Sequence, residues 1–105
     1  MVPFLEIDER RAGDELTLSL VGELDHASAD DLAARLSRDV HSGASVILDL
    51  DRLAFIDPAG VATLRRATAW AAQDGWTLEI AGAPESVHRV FRLIRADAVL
   101  PLRAA

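Results

Sequence analysis

Residues 48–60 have the sequence LDLDRLAFIDPAG and carry the chain from a strand into a helix. The first three residues alternate leucine with aspartate, which is the two-residue period of a strand with one buried face. Asp57 is a helix-capping residue type, and Pro58 suits the first helical position because its missing N–H costs nothing there. The stretch therefore predicts a strand, a loop over residues 51–60 and a helix that begins at Pro58.

Further strands are predicted on both sides of this stretch. Residues 15–21 and 76–80 repeat the alternation of apolar and polar side chains. Residues 4–8 are another strand candidate, joined to residues 15–21 by a glycine-containing turn that makes a hairpin. Residues 99–102 are apolar and predict a short strand at a sheet edge, where a proline is tolerated.

Three helices are expected between and after the strands. The first is predicted to be capped by Ser28, the second to span residues 58–73, and the third to begin near Pro84. Because each strand has one apolar face, the helices should lie mainly on one side of the sheet. The sequence thus predicts one α/β domain over residues 1–105, with a small mixed sheet of four or five strands and three helices.

Composition narrows the possible functions. The formal net charge is −6, from 17 acidic and 11 basic residues, which argues against nucleic acid as a partner. The chain has no apolar run of about 18 residues, so no membrane insertion is expected, and it begins without the apolar run of a secretory signal, so we expect a cytoplasmic protein. Cysteine and lysine are absent and the histidines show no paired spacing, so no cofactor or metal is predicted.

Two acidic residues at a strand end, Asp49 and Asp51, raise two enzymatic hypotheses. One is a receiver domain that accepts phosphate on aspartate, but such a fold needs more strand–helix repeats and a lysine. The other is a hydrolase with two carboxylates, but no aromatic or polar cluster accompanies the pair. We therefore expect that the protein is not an enzyme.

Two motifs in a fixed order resemble the STAS family, named for sulfate transporters and anti-sigma-factor antagonists. Residues 22–25, Gly-Glu-Leu-Asp, precede the first helix, and residues 48–60 run into the second. The resemblance extends over essentially the whole chain. It implies that the turn of residues 57–60 contacts a partner. In the phosphorylation-switched members a serine or threonine follows the aspartate of this turn, whereas this chain has Pro58 and then Ala59, which cannot accept phosphate.

On this resemblance we predict a docking surface made of the turn and the outer face of the helix it opens. Helical spacing puts Val61, Leu64, Thr68 and Ala71 on the inward face. A glycine in the first turn lowers helix propensity and implies close approach of another backbone, from a neighbouring strand or from a partner. The predicted partner-binding residues are Asp25, Asp57, Pro58, Ala59, Gly60, Thr63, Arg66 and Trp70.

Other interpretations of these residues remain open at this point. Asp25 is also an ordinary turn residue, and Trp70 could lie flat over a neighbouring element instead of facing a partner. A hydroxyl elsewhere, such as Thr63 or Ser28, could have taken over regulation. The leading partner is a kinase-type anti-sigma factor. The alternatives are a structural subunit of a larger assembly, such as a lipid transporter or a stress-signalling complex, and a module that binds a small ligand.

Overall fold

The structure, a computed structural model, describes residues 4–103 of the chain. This part of the chain forms five strands and three helices. In chain order the elements are β1 (Leu5–Ala12), β2 (Glu15–Leu24), α1 (Ala29–Asp39), β3 (Ser45–Asp49), β4 (Leu53–Ile56), α2 (Pro58–Asp74), β5 (Thr77–Ala81) and α3 (Glu85–Leu93). The α/β class, the three helices and the mixed five-stranded sheet confirm the prediction.

Strand β2 organises the sheet, whose continuous order is β1-β2-β3-β5. On one side β2 pairs with β1 in an antiparallel hairpin. On its other side the first half of β2 pairs with β3 and its second half with β4, both in parallel. Strand β3 pairs with β5 in parallel, as the helix between them requires. One ten-residue strand therefore carries two shorter strands end to end.

The helices cover one face of the sheet. Leu16, Leu18 and Leu20 of β2 point toward that face and are almost fully buried, since strand side chains alternate between faces. They belong to one core cluster with buried residues of all three helices, such as Leu36, Leu64 and Phe91. The opposite face, here called the open face, carries the alternate positions. These are half-buried and include Thr17, Ser19, Ile47, Asp49 and Glu79.

Two sequence predictions about strands need correction. Residues 51–60 are not a continuous loop, because Leu53–Ile56 form β4, with Leu53 and Ile56 buried. Residues 99–102 do not form a strand, because only Leu102 makes a single parallel bridge to Ile80 of β5. A four-residue strand held by its pairing with β2 leaves almost no periodic signal in its own sequence.

The predicted ends of α2 are confirmed, but the start of α1 differs. Asp57 caps α2 with its side chain, Pro58 is the first helical residue, and Gly75 ends the helix in the left-handed conformation. Ser28 occupies the position before α1, but its side chain makes no capping hydrogen bond to that helix. Its hydroxyl is turned back toward the end of β2.

Candidate functional site

The two motifs found in the sequence lie side by side in space. The last residues of β2 pair with β4, Leu24 opposite Ile56, so both strands end at the same edge of the sheet. The loop after β2 leads into α1, and the residue after β4 starts α2. The backbone N–H of Asp57 donates to the Leu24 carbonyl oxygen at 3.2 Å and ties the two strand ends together. We call residues 25–28 and 57–60 together the corner.

Asp57 is the residue that holds the corner together. Its Oδ1 accepts a hydrogen bond from the Gly60 N–H at 2.9 Å, which caps α2. Its Oδ2 accepts one from the His26 N–H at 3.1 Å. The same oxygen lies 3.7 Å from His26 Nδ1, and the Asp57 side chain is only 21% exposed. One carboxylate thus fixes both the start of α2 and the loop before α1.

This environment changes the acidity of Asp57. Partial burial raises its pKa, because burial disfavours the charged form. The hydrogen bonds from the backbone N–H groups of Gly60, His26 and Ala59 act in the opposite direction and together outweigh burial. The pKa of Asp57 therefore lies below its ordinary value, and the side chain is a carboxylate at neutral pH.

The other half of the corner is an internally bonded turn. Asp25 Oδ1 accepts hydrogen bonds from the N–H groups of Ala27 at 3.0 Å and Ser28 at 3.1 Å. The Ser28 hydroxyl accepts from the Asp25 N–H at 3.0 Å and donates to the Glu23 carbonyl oxygen at 2.8 Å. Asp25 therefore acts as a turn residue, one of the two interpretations that the sequence left open. Its half-buried side chain is committed to shaping the loop.

Gly60 is required by the fold itself. A Cβ atom built on this residue would lie 2.4 Å from the Leu24 carbonyl oxygen and 2.9 Å from Cγ1 of Ile56. The close approach that the sequence implied is therefore that of the end of β2. Gly60 is the buried residue of the turn 57–60, and its lack of a side chain lets α2 begin directly against the strand.

The exposed part of the corner is small and largely uncharged. Pro58 is exposed at the tip, and Ala59 beside it is half-buried. The side chain of His26 is 83% exposed and stands over Asp57. A macromolecule that approached this edge would meet a proline, an alanine and an imidazole, with the carboxylate of Asp57 behind them.

The predicted outer face of α2 is partly wrong. Thr63 is only 2% exposed; its hydroxyl donates to the Ala59 carbonyl oxygen at 3.2 Å and accepts from Arg66 Nη2 at 3.0 Å. Arg66 is exposed, but Trp70 is half-buried and packs edge-on against Trp76, with 5.8 Å between ring centroids. Among the residues predicted to face inward, Thr68 is only half-buried.

The cause of this difference is that α2 packs on two elements. Beyond the sheet it also contacts α1, and a small void between the helices is lined by residues of both, including Leu36, Thr63 and Ala67. The small side chains of Thr63 and Ala67 let the helices approach. Thr63 therefore belongs to a helix interface, where a partner cannot reach it without moving α1.

Within residues 4–103, no group of three or more histidine, aspartate or glutamate side chains is placed to hold a metal ion. A groove of about 660 Å³ crosses the open face, between Arg10 on β1 and Arg103, which follows the Leu102 bridge to β5. Asp49 also lines this groove, and its Oδ1 accepts a hydrogen bond from the Asp51 N–H at 3.0 Å.

None of the helices in the described part of the chain is long and apolar enough to cross a membrane.

Comparisons with known proteins agree with this architecture. A family model described as "Mlab, STAS domain" matches residues 7–102. Among curated proteins, none is significantly similar to the sequence.

Solved structures share the fold at low sequence identity. A putative anti-sigma factor antagonist from Thermotoga maritima superposes with a TM-score of 0.79 at 15% identity, covering 94% of this chain and 86% of the other. The anti-sigma factor antagonist SpoIIAA of Bacillus, unphosphorylated, gives 0.71 at 21% identity, covering 95% and 88%. An antisigma-factor antagonist STAS domain from Rhodobacter sphaeroides gives 0.62 at 22% identity, covering 79% and 95%.

Proposed function

The chain belongs to the STAS domain family, and on that premise we propose that it is a non-catalytic, cytoplasmic regulator that works by binding another protein through the corner. The observation that carries this proposal is the arrangement around Asp57. One carboxylate fixes two loops and leaves Pro58 exposed at their tip. A rigid, exposed strand–helix turn of this kind suits recognition by a protein, because little conformational freedom is lost on binding.

The proposed partner is a kinase-type anti-sigma factor. The solved structures most similar in architecture include several described as anti-sigma factor antagonists, and this supports the same role here. Capture of such a factor would release a sigma factor and raise transcription of its genes. The surface that would make this contact comprises Pro58, Ala59 and His26.

We further propose that phosphorylation at the turn does not control this binding. One relative is described in both an unphosphorylated and a phosphorylated form. Here the exposed position after Asp57 is Pro58, which has no hydroxyl. Ser28 and Thr63 are the other hydroxyl residues that could carry such a phosphate. They are only 3% and 2% exposed, and both hydroxyls are engaged in hydrogen bonds. A kinase would therefore not reach them in the folded chain.

The test is a binding measurement with a single added charge at the tip. Pro58→Glu places a carboxylate at the first position of α2, where the helix dipole favours it, so the fold should be kept. We expect the wild type to bind a purified kinase-type anti-sigma factor of the same organism in calorimetry, and Pro58→Glu to bind at least tenfold more weakly.

Gln73→Glu is the matched control, since it adds the same charge at an exposed position in the last turn of α2. It should bind within about twofold of the wild type. Equal weakening by both variants would show that the corner is not the contact. Failure of the wild type to bind any such anti-sigma factor of the organism would overturn the proposed function.

A further inference from the structure

Two of the three phenylalanines of the chain are exposed. Phe4 is 63% exposed and Phe55 49% exposed, whereas Phe91 is fully buried in the core. Single exposed apolar residues are normal in soluble proteins. Two exposed aromatic rings close together are less common, and they mark surfaces that bind other molecules.

Strand pairing places these two phenylalanines on either side of Glu23 in β2. The Glu23 N–H donates to the Phe4 carbonyl oxygen at 2.8 Å, and on the other side of β2 Glu23 pairs with Phe55 of β4. Residues that pair across strands point to the same face of a sheet. The next pair, Leu24 with Ile56, points into the core, so Phe4, Glu23 and Phe55 point to the open face.

These three residues form what we call the aromatic row. Neighbouring strands lie about 4.8 Å apart, so the two phenylalanines are separated by about 10 Å across β2. Glu23 comes two residues before Asp25 and Phe55 comes two residues before Asp57, which places the row directly beside the corner. The aromatic row and the exposed tip of the corner thus lie at the same end of the sheet.

Acidic side chains predominate in the strand and loop segments at this end of the sheet. The three segments that build it, residues 4–7, 22–31 and 53–60, contain no arginine, and His26 is their only basic residue. Arg52, just outside, lies 3.0 Å from Asp8 and is paired with it. The acidic residues of the three segments are Glu6, Glu23, Asp25, Asp30, Asp31 and Asp57. A complementary surface would carry basic residues next to apolar ones.

We propose that the aromatic row is the centre of the docking surface, and that the partner protein presents apolar side chains next to arginine or lysine. The apolar side chains pack against Phe4 and Phe55, and the basic groups meet Glu23, which lies between the two rings, and Glu6 on the same face. This inference rests on the proposed function, because the row adjoins the corner through which the chain is proposed to bind its partner. According to this inference, residues on the open face of the sheet contribute more of the binding energy than residues of α2.

Alanine substitutions test the row directly. Phe4→Ala and Phe55→Ala should each weaken binding of the anti-sigma factor at least tenfold, as truncation of an aromatic anchor does. Their thermal unfolding should stay close to that of the wild type, since both rings are exposed. Raising the salt concentration should weaken wild-type binding mainly by slowing association.

Val99→Ala is the matched control. Val99 is also exposed, at 57%, and lies on the segment that leads to the Leu102 bridge on β5. It should bind within about twofold of the wild type. If Pro58→Glu abolishes binding while both phenylalanine variants bind normally, the corner docks without the row, and the inference fails although the proposed function stands.

A second measurement tests the row without the anti-sigma factor. A synthetic peptide with leucine and tryptophan flanked by arginines is titrated into the labelled chain and followed by amide chemical shifts, beside the same peptide with glutamates. The arginine peptide should shift the amides of Glu23 and Phe55, and the glutamate peptide should not. Shifts elsewhere only, or none at all, would overturn the inference even if the anti-sigma factor proved to be the wrong partner.

Discussion

Asp57 and His26 are 31 positions apart in the sequence, yet the carboxylate of Asp57 accepts a hydrogen bond from the backbone N–H of His26 at 3.1 Å. The other oxygen of the same carboxylate caps α2 through the Gly60 N–H. A residue that would otherwise be an ordinary helix cap therefore also fixes a second loop. This side chain therefore links the two motifs, in addition to the backbone pairing of β2 with β4.

Replacement of this carboxylate should cost more than the loss of a cap alone. We expect Asp57→Ala to lower the free energy of unfolding by about 1–3 kcal/mol, because both the Gly60 and the His26 N–H groups lose their acceptor. Urea unfolding measures the change. Asp30→Ala, at an exposed position in the first turn of α1, should cost less than about 1 kcal/mol, and equal losses in the two variants would contradict the linking role of Asp57.

The lowered pKa of Asp57 predicts a pH-dependent contribution to stability. The charged form is favoured in the folded state, so its contribution is complete above the pKa of the unfolded chain and is lost as the pH falls through the lower folded value. Wild type should be more stable than Asp57→Asn at neutral pH, and the difference should shrink in acid. Unfolding curves for both proteins between about pH 7 and about pH 3 measure it, and a difference that stayed constant would argue against the shift.

Gly60→Ala allows a test in which two effects have opposite signs. Helix propensity alone would make alanine more stable than glycine by about 1 kcal/mol. The added Cβ, however, would lie 2.4 Å from the Leu24 carbonyl oxygen. We expect a net destabilisation of about 1–3 kcal/mol in urea unfolding, since the backbone of β2 cannot easily move aside. A stabilised variant would mean that α2 can shift away from the strand.

Introduction of a hydroxyl at the tip should create a phosphorylation site. Pro58 is exposed, and serine tolerates the first turn of a helix. With the kinase-type anti-sigma factor and ATP, Pro58→Ser should gain one phosphate in intact mass measurement, while the wild type stays unmodified. Stoichiometric phosphate in the wild type within residues 57–63 would refute the proposed loss of the switch.

Trp70 should contribute to stability because it is packed against Trp76. We expect Trp70→Ala to lower the free energy of unfolding by about 1–3 kcal/mol. This is less than for a fully buried aromatic residue, because Trp70 is only half-buried. Leu93→Ala, at a residue 75% exposed, should change it by less than about 0.5 kcal/mol. If Trp70→Ala instead left stability intact and weakened partner binding, the residue would be an exposed anchor.

Local signals explain why most of the fold could be predicted. The alternation in β2, β3 and β5 and the cap and stop of α2 are each contained within a few residues, so the sequence displays them directly. Strand β4 was missed because its four residues are held by pairing with the far half of β2. Apolar composition predicts a strand in the segment before Leu102, but this segment makes only one bridge to β5.

The site could be predicted only where a side chain acts on its own segment. Asp57 as the cap of α2 follows from residues 57–60. Its bond to His26 does not, because it joins two segments that the sheet brings together. Thr63 was assigned to the wrong face because helical periodicity assumes one buried side, whereas α2 packs against both the sheet and α1.

The length of β2 determines how the corner moves. The ten residues of this strand hold β3 at one end and β4 at the other, so the corner is attached directly to the central strand of the sheet. The Asp57 amide, bonded to the Leu24 carbonyl oxygen, should exchange with solvent only in openings that separate the end of β2 from β4. A partner therefore binds a surface that is already ordered, so little binding free energy is lost in ordering it.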